Sequence, residues 1–493
     1  MNLVMMVLDT LRYDVVHHQG ITHVHTPNLD ALRRDSVSFS AAYGEGEPTI
    51  PVRRALMSGI RSFPWRYDYD TRGLWPRIQG WHKIPPEQPT IAEILVEHGY
   101  KTALIGDVYH IFKPTMNFTR GWVNWEFVRG QESDNWQGGK LDLIRAEAER
   151  CVKGPFHPQE QAVLIQYLLN KRVFGQVDGL TSGTVFRRGV EWLEANHDDG
   201  PFALWLEAFD PHEPWDPPRD YADRYCPEFE GTEFILPPAA AKVGTELEKE
   251  RTKALYYGEI TYMDEWIGRL LDTLASLGRL EDTVVMFTSD HGTELLDHDQ
   301  FGKSAPALHP YNTQLNWLVR HPSGVARGQD LDAFVQGHDI LPTALDLLDI
   351  AEPERDDTAA ALAGHSVWPL IREAGGEGVP GESVAAARSG RDQVITGWSS
   401  YASVRDRRWN YIVDCERPDE DTRLFDVVAD PGEHRNLAGD HPEVVRELRR
   451  RLESLLGRDL PASFPSRYVP GDAPARLYYG SRASQAEQEA GFV

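Results

Sequence analysis

Thr283-Val-Val-Met-Phe-Thr-Ser-Asp-His-Gly292 is the stretch on which the fold prediction depends. Its apolar run, rich in β-branched and aromatic residues, is typical of a strand that is buried on both faces. Asp290, His291 and Gly292 follow that run directly. Ligands of open α/β sheets bind beyond the carboxyl ends of the strands. A carboxylate and an imidazole at such a strand end therefore predict part of a divalent-metal site.

The N-terminus repeats this layout. Leu3-Val-Met-Met-Val-Leu8 is a second apolar run, and Asp9 follows it immediately. Two buried strands that each end in a metal-type ligand are a stronger indication than either one alone, so we expect Asp9 and Asp290 to meet. The alternative is that each aspartate only caps a helix that follows its strand.

Length and composition limit the class of protein and its partners. A chain of 493 residues can bury a large core and is expected to form two domains. Its 51 Lys and Arg residues against 76 Asp and Glu residues give a net charge of −25. That charge argues against nucleic acid or an anionic membrane surface as a partner. No apolar run approaches the roughly 18 residues that span a membrane.

Cysteine usage and the first residues bear on the compartment. Cys151, Cys226 and Cys415 are too few and too scattered for a disulfide framework or a zinc cluster. The apolar run that begins at Asn2 has no basic leader or cleavage site, which indicates a core strand and not a signal peptide. We therefore expect a cytoplasmic protein, and a homo-oligomer is left open.

Helical and strand-like segments alternate over most of the chain, which favours a parallel sheet. Residues 107–145, rich in aromatic and polar side chains, are interpreted as a long active-site insertion. The predicted elements are a helix over Thr26–Arg34 with Thr26 as its cap, a strand over Ser38–Tyr43, a helix over 88–99 ended by Gly99, strands over Lys101–Ile105 and Phe202–Leu206, and helices over 246–276 and 339–348.

The last quarter of the chain has a different pattern. Residues 353–391 are rich in Ala, Gly and Glu and are interpreted as a linker or a mobile surface. Short alternating strands at 394–396, 409–413 and 424–427 precede a helix over Pro442–Leu456. We therefore divide the chain into a catalytic α/β domain, residues 1–375, and a small C-terminal α+β subdomain with a tail, residues 376–493.

A Gly/Pro-rich loop leads into a helix within Gly44–Gly59. Thr49 stands at the turn, Pro51 lies near the first helical position, and Arg53 is one turn further on. Backbone N–H groups and the positive end of the helix make such a place receptive to an anion.

Taken in order, these segments resemble the sulfatase-like branch of the alkaline phosphatase superfamily. The resemblance covers most of the chain. It rests on Val7-Leu-Asp-Thr-Leu-Arg12, His25-Thr-Pro-Asn-Leu-Asp-Ala-Leu32, Thr49-x-Pro-x-Arg53, Asp210-Pro-His-Glu-Pro-Trp215, Thr288-Ser-Asp-His-Gly292 with Gly302-Lys303, and Leu424-Phe-Asp-Val427 with Asp430-Pro-Gly-Glu433. It implies a large mixed, mostly parallel sheet sandwiched by helices, with the small C-terminal α+β subdomain.

The resemblance also implies a site and its chemistry. Asp9, Thr49, Asp290 and His291 would hold one divalent cation, which could be Ca, Mn, Mg or Zn, with Mn or Ca favoured. The substrate would be a small anionic ester, and the coordinated hydroxyl of Thr49 would attack phosphorus or sulfur in line.

Further roles follow for residues around this centre. Arg53 and Lys303 would neutralise charge on the non-bridging oxygens, although a solvated surface pair is the alternative. His212 would be the general acid for the leaving group, or else a satisfied structural histidine. Secondary candidates for contact with the substrate or leaving group are His110, His298, His309 and Asn312.

The sequence departs from the sulfatase pattern at three positions. Thr49 stands where sulfatases carry the Cys or Ser that matures to formylglycine. Thr10 replaces a second metal-binding Asp, and Asp107 replaces the Lys of Gly-Lys-Trp-His. The leading hypothesis is a metal-dependent hydrolase of phosphodiester, phosphonate-ester or sulfate-ester bonds, with phosphorus preferred. The alternatives are a catalytically silent binding protein and a phospho- or sulfotransferase.

Overall fold

The computed structural model describes residues 1–17, 21–67, 78–132, 134–158, 160–175, 179–238, 244–354, 361–379, 391–465 and 478. These residues form fifteen strands and fourteen α-helices. The strands are β1 Asn2–Leu8, β2 Val37–Tyr43, β3 Gly46–Glu47, β4 Lys101–Gly106, β5 Asn124–Phe127, β6 Phe202–Ala208, β7 Thr283–Ser289, β8 Glu294–Leu295, β9 Phe301–Gly302, β10 Trp317–Arg320, β11 Asp330–Gln336, β12 Gln393–Trp398, β13 Tyr401–Asp406, β14 Trp409–Asp414 and β15 Thr422–Asp426. The helices are α1 Tyr13–Val16, α2 Pro27–Arg34, α3 Thr49–Ser58, α4 Ile91–Glu97, α5 Tyr109–Phe112, α6 Arg145–Cys151, α7 Ala162–Phe174, α8 Thr181–Asn196, α9 Arg219–Asp223, α10 Glu246–Ser276, α11 Pro310–Thr313, α12 Ile340–Leu347, α13 Trp368–Ala374 and α14 Pro442–Leu456.

An eight-stranded sheet forms the centre of the molecule, in the order β11-β2-β10-β7-β1-β6-β4-β5. The pairs β1·β6, β1·β7, β4·β6, β4·β5 and β11·β2 are parallel, and β10 runs antiparallel to both of its neighbours. The expectation of a mixed, mostly parallel sheet is confirmed.

Both faces of this sheet are covered. Every residue of β1 and β7 is buried. Along β1, Val4 and Met6 pack into one core together with residues of α7, α8 and α10, while Leu3 and Met5 pack into the other with residues of α3, α4 and α12. This alternation follows from the two-residue period of a strand, and it explains why the sequence of β7 is continuously apolar.

Strand register brings the predicted ligands to one edge. Leu8 pairs with Ser289 on β7 and with Ala208 on β6. The next residues are Asp9 and Asp290, so both aspartates emerge side by side at the carboxyl end of the sheet. The Asp9 N–H donates to the carbonyl of Ala208 at 2.9 Å, and this bond continues the ladder by one step.

A second sheet has the order β15-β14-β13-β12-β3. Its first four strands come from the C-terminal part of the chain, and α14 packs beside them. Strands β12, β14 and β15 and the helix were predicted, whereas β13, Tyr401–Asp406, was not. The fifth, β3, comes from the loop that leads to Thr49 and pairs in parallel with Gly397 and Trp398. The proposed boundary at residue 375 stays a prediction, but backbone hydrogen bonds join the two parts across it.

Local predictions differ from the structure in several places. Residues 107–145 contain β5, which sequence patterning misses because it is an edge strand whose side chains are mostly exposed. Thr26 makes no side-chain cap at α2. The carboxylate of Asp264 on α10 instead accepts the Asn28 and Leu29 N–H groups at 3.1 and 2.7 Å. The N-terminus of α2 is therefore capped by a side chain from α10 and not by its own Thr26.

The low-complexity segment and the tail lie partly outside the described residues, at 355–360, 380–390, 466–477 and 479–493. Within the described part of 353–391, α13 is a helix that the composition did not predict. Its Leu370 and Ile371 are buried against the main core. Helices α7 and α8 were also not predicted. No helix in the described part of the chain is long and apolar enough to cross a membrane.

Phe287 tests the importance of the doubly covered sheet. It is fully buried on β7, three residues before Asp290. We expect Phe287→Ala to lower the free energy of unfolding by about 3–5 kcal/mol, because it leaves a cavity in the centre of the core. Val428→Ala is the control, since Val428 is 70% exposed. Denaturant unfolding followed by circular dichroism measures both, and equal midpoints would contradict the packing described.

Candidate active site

Asp9, Asp290 and His291 form the buried centre of the site. One ligand atom from each lies within 4.8 Å of the others, and all three side chains are fully buried. Asp290 Oδ1 accepts the backbone N–H groups of Thr10 at 3.0 Å and His291 at 2.7 Å, which fixes its orientation. Asp9 does not cap a helix, because α1 begins at Tyr13 with Arg12 at its N-cap.

The imidazole of His291 is oriented for ligation. Its Nδ1 lies 2.9 Å from the carbonyl oxygen of Gly292, which requires the proton to be on Nδ1. Its Nε2 lies 3.6 Å from Asp9 Oδ1 and 3.5 Å from Asp290 Oδ2, without a hydrogen-bond partner. Burial lowers the pKa of His291, so the neutral form that binds metals is favoured.

Gly292 is required by a close approach of two backbone segments. A Cβ at this position would lie 2.0 Å from the carbonyl oxygen of Tyr311. The Gly292 N–H donates to the carbonyl of Asn312 at 2.8 Å. Only a residue without a side chain lets the 291–292 turn lie against α11, and this contact holds His291 in place.

Arg53 connects the two aspartates. Its guanidinium is fully buried and donates from Nη1 to Asp9 Oδ2 at 3.1 Å and to Asp290 Oδ2 at 2.5 Å. Its Nε donates to Glu207 Oε2 at 2.8 Å, while Nη2 has no partner. Arg53 therefore holds the two carboxylates together in the protein interior and is not a solvated surface residue. It still has one nitrogen available for an oxyanion.

Thr49 is brought to the same place by α3. It is the first residue of that helix and is 3% exposed. Its carbonyl accepts from Arg53 Nη1 at 3.3 Å, and the same nitrogen contacts both aspartates. The backbone of Thr49 is therefore linked to Asp9 and Asp290 through Arg53. The role of its hydroxyl as a ligand and nucleophile stays a prediction.

Carboxylates outnumber cations around this centre. Despite burial, Arg53 and then His212 hold the pKa of Asp9 well below its usual range, whereas burial and the charge of Asp9 raise the pKa of Asp290. The ionisable groups are Asp9, Glu47, Glu207, Glu213, Asp290, Arg53 and Lys303. An excess of buried negative charge is costly unless a cation offsets it. The orphaned His291 Nε2 and the hard oxygen donors fit a divalent ion.

Lys303 reaches the centre through Thr10. Its ammonium donates to Thr10 Oγ1 at 3.2 Å, and Thr10 Oγ1 donates to Asp9 Oδ1 at 2.7 Å. Lys303 also pairs with Glu213 Oε2 at 2.8 Å. Thr10, one of the departures from the sulfatase pattern, thus links a cation to Asp9.

His212 lies next to this ion pair. Its Nδ1 is 2.6 Å from the Glu213 carbonyl oxygen and 3.3 Å from Glu213 Oε2, and its ring stacks on Phe209 at 4.2 Å. The side chain is only partly buried. Its role as a general acid stays a prediction.

His110 occupies a more enclosed position. Its ring packs edge-on against Trp81 at 4.8 Å, its Nε2 lies 3.6 Å from Glu132 Oε2, and its Nδ1 lies 3.3 Å from Lys113 Nζ. Burial, followed by the charge of Lys113, lowers the pKa of His110 to about 3. The ring is neutral at physiological pH, and its role as a substrate contact stays a prediction.

His298 and His309 lie together at the junction with the second sheet. Their rings are 4.2 Å apart, and His309 Nδ1 lies 2.7 Å from Glu433 Oε2. Asn312 donates from Nδ2 to the Ala307 carbonyl at 2.7 Å, and its Oδ1 is buried without a partner. Among the described residues, the recorded contacts of these three side chains do not include Asp9, Asp290 or His291. Their substrate roles stay predictions.

Sequence reasoning missed several members of the site. Glu207, which pairs with Arg53, is a carboxylate inside the apolar strand Phe202–Ala208, and that interruption is a signal. Glu213, next to His212, lies in the motif Asp210–Trp215, but nothing in that motif indicated a role for it. Glu47 is fully buried close to Asp290, and burial followed by the charge of Asp290 raises its pKa well above the usual range.

Comparisons with known proteins agree with this architecture. The family model described as Sulfatase matches residues 1–350. The chain is 26% identical to an arylsulfatase of Clostridium perfringens, over 93% of this chain and 95% of that protein. It is 25% identical to human arylsulfatase K, over 92% of this chain and 82% of that protein.

A solved structure shows the same fold. The phosphonate monoester hydrolase of Agrobacterium radiobacter superposes with a TM-score of 0.67 at 19% identity, covering 92% of this chain and 95% of that chain. Strand order, burial of the paired aspartates and the extent of the family match lead to one conclusion. This chain belongs to the sulfatase family of ester hydrolases.

Proposed function

We propose that this ester hydrolase is metal-dependent and cleaves phosphodiester, phosphonate-ester or sulfate-ester bonds with Thr49 as the nucleophile. The observation that carries the proposal is the buried group Asp9, Asp290 and His291, joined through Arg53 to the first turn of α3. The arylsulfatase relatives, 25 and 26% identical over most of the chain, support ester hydrolysis.

The donor set supports one divalent cation, for which we favour Mn or Ca. Asp9, Asp290 and His291 would hold it, with Thr49 completing the set. When bound, such an ion acidifies a coordinated hydroxyl and offsets negative charge on the substrate. The backbone N–H groups that bond Asp290 Oδ1, and the Nδ1–H of His291 on the Gly292 carbonyl, fix the orientation of these two side chains.

The remaining residues would act as the nucleophile, as stabilisers of negative charge and as the general acid. Thr49 releases its hydroxyl proton to solvent, and its Oγ attacks in line, forming a bond to phosphorus or sulfur while the bond to the leaving oxygen breaks. Arg53 Nη2 and Lys303 stabilise the charge on the non-bridging oxygens. His212 protonates the departing oxygen, with its ring held by Glu213 and Phe209. Water then releases the group from Thr49.

Threonine at position 49 favours phosphorus over sulfur. Formylglycine forms from Cys or Ser, and the chain has Thr at this position. A stable threonine ester is the intermediate expected from an alkoxide nucleophile, and threonine serves in this way in phosphate- and phosphonate-cleaving members of the wider superfamily that the sequence resembles.

Replacement of Thr49 tests the nucleophile. We expect Thr49→Ala to lower kcat for bis-p-nitrophenyl phosphate by about 10³-fold or more, because the substitution removes the attacking oxygen. Thr49→Ser keeps a hydroxyl and should keep most of the activity. Release of p-nitrophenol, with p-nitrophenyl sulfate assayed in parallel, measures both variants. Full activity of Thr49→Ala would remove Thr49 from the mechanism.

Metal removal tests the cation. Dialysis against a chelator should abolish activity, and adding back Mn²⁺ or Ca²⁺ should restore it. Because the ion binds only the folded site, a concentration 100 times Kd should stabilise the fold by about 2.7 kcal/mol. The rise in Tm should disappear in Asp290→Asn. Elemental analysis that finds no bound metal in the active protein would contradict the proposal.

His212 is tested by varying the leaving group. We expect His212→Ala to lower kcat about 10²- to 10⁴-fold for esters of alkyl alcohols, which need protonation on departure. The loss should be much smaller for p-nitrophenyl esters, whose leaving group departs as a stable anion. His321→Ala, at a surface histidine bonded to Ser323, is the control. An equal loss for both ester types would assign His212 a structural role.

A further inference from the structure

Glu47 is a buried carboxylate that the mechanism above does not use. It is the last residue of β3, two positions before Thr49. Its side chain is 0% exposed, and neither carboxylate oxygen has a hydrogen-bond partner. A carboxylate that loses its water without gaining a partner is strongly destabilising. Such a group can carry its negative charge in this position only if a cation offsets it.

The carboxylate lies near the backbone of Asp290. A Cβ on Gly44 would be 2.2 Å from Glu47 Oε1 and 3.9 Å from the Asp290 carbonyl oxygen, so both groups lie over the same glycine. Asp290 and Asp9 are among the charges that act on Glu47, and Lys303 opposes them. Lys303 itself is already paired with Glu213 at 2.8 Å.

The backbone holds Glu47 in this position. Strand β3 pairs in parallel with β12, and Glu47 is opposite Trp398. The ring of Trp398 is in turn 6.4 Å from the ring of His291. Glu47 thus approaches the ligand group from the side of the second sheet, whereas Asp9 and Asp290 approach from the central sheet.

The known donors leave room for another anionic ligand. Asp9, Asp290 and His291 supply three ligand atoms within 4.8 Å of one another, whereas Ca²⁺ takes about 6–8 oxygen ligands. Thr10, beside Asp9, brings no charge, and its hydroxyl is engaged by Asp9 and Lys303.

We propose that Glu47 is a further carboxylate ligand of the cation held by Asp9, Asp290 and His291. The inference rests on the proposed function, since it concerns the same ion. The Glu47 carboxylate lies over Gly44, and rotation about its side-chain bonds would bring it to the other three ligands. The loop leading to Thr49 would then be tied to the metal.

Metal affinity tests the inference independently of catalysis. The full-length chain is stripped with chelator and titrated with Mn²⁺ or Ca²⁺ by calorimetry, with stoichiometry from elemental analysis. We expect Glu47→Gln to raise Kd about 10- to 100-fold and to reduce the metal-induced rise in Tm, while the metal-free variant is at least as heat-stable as the wild type. Glu47→Asp, which withdraws the carboxylate by one methylene, should lie between the two.

Glu45→Gln is the matched control. Glu45 is equally buried and equally without partners, but its Oε2 faces Gly337, where a Cβ would lie 2.9 Å away. Its replacement should leave Kd within about twofold of the wild type, since a difference of that size is below 0.5 kcal/mol. An equal loss of affinity in both variants would mean that any buried charge in the loop matters, and would overturn the specific role of Glu47.

The outcomes separate this inference from the proposed function. If wild-type protein binds one ion, Asp290→Asn binds none and Glu47→Gln binds as tightly as wild type, only the role of Glu47 fails. If the wild type binds no ion, the metal-dependent function fails together with it. Should Glu47→Gln not fold, as judged by circular dichroism, Glu47→Asp decides, and an unchanged Kd in that variant overturns the inference.

Discussion

A guanidinium buried among carboxylates is the constraint on which the site depends. Arg53 is fully buried and bonds Asp9, Asp290 and Glu207, which come from three neighbouring strands of the central sheet. Removing one partner of such a buried set typically costs about 3–5 kcal/mol, because a charge is then left without compensation. The same ion pairs fix the position of α3, since Arg53 lies on this helix one turn from Thr49. The backbone of Thr49 is thus held by the same interaction that keeps the two aspartates together.

The strand order explains why this arrangement is possible. Strands β7, β1 and β6 are adjacent and end in register, so their next residues share one edge. The second sheet closes over that edge. Its β3 carries Glu47 and leads to Thr49, and its Trp398 approaches His291. The C-terminal part of the chain therefore contributes to the walls of the site and is not merely appended to the catalytic part. Of the three departures from the sulfatase pattern, Thr49 follows β3 of the second sheet, whereas Thr10 and Asp107 lie just beyond β1 and β4 of the central sheet.

Much of this could be predicted from the chain itself. The apolar runs before Asp9 and Asp290 predicted doubly buried strands, because only a parallel sheet covered on both sides accommodates continuous apolar sequence. The helical pattern of the sequence located the long helix Glu246–Ser276 and the helix Pro442–Leu456 at the observed bounds. The order of the motifs identified the family, and residue identity at position 49 alone raised the question of nucleophile and substrate.

Other features were decided only by tertiary structure. Arg53 could not be assigned to Glu207 from spacing, because the two are far apart in sequence and meet only through the strand order. The cap of α2 comes from Asp264 on α10 and not from Thr26, since a carboxylate supplied by packing satisfies the same N–H groups. The edge strand Asn124–Phe127 is only four residues long and mostly exposed, so its two aromatic residues, Trp125 and Phe127, did not distinguish it from a loop. The sequence by itself determined which residue types could bind a cation; the fold decided which of them are buried together, because burial makes their charges interact strongly.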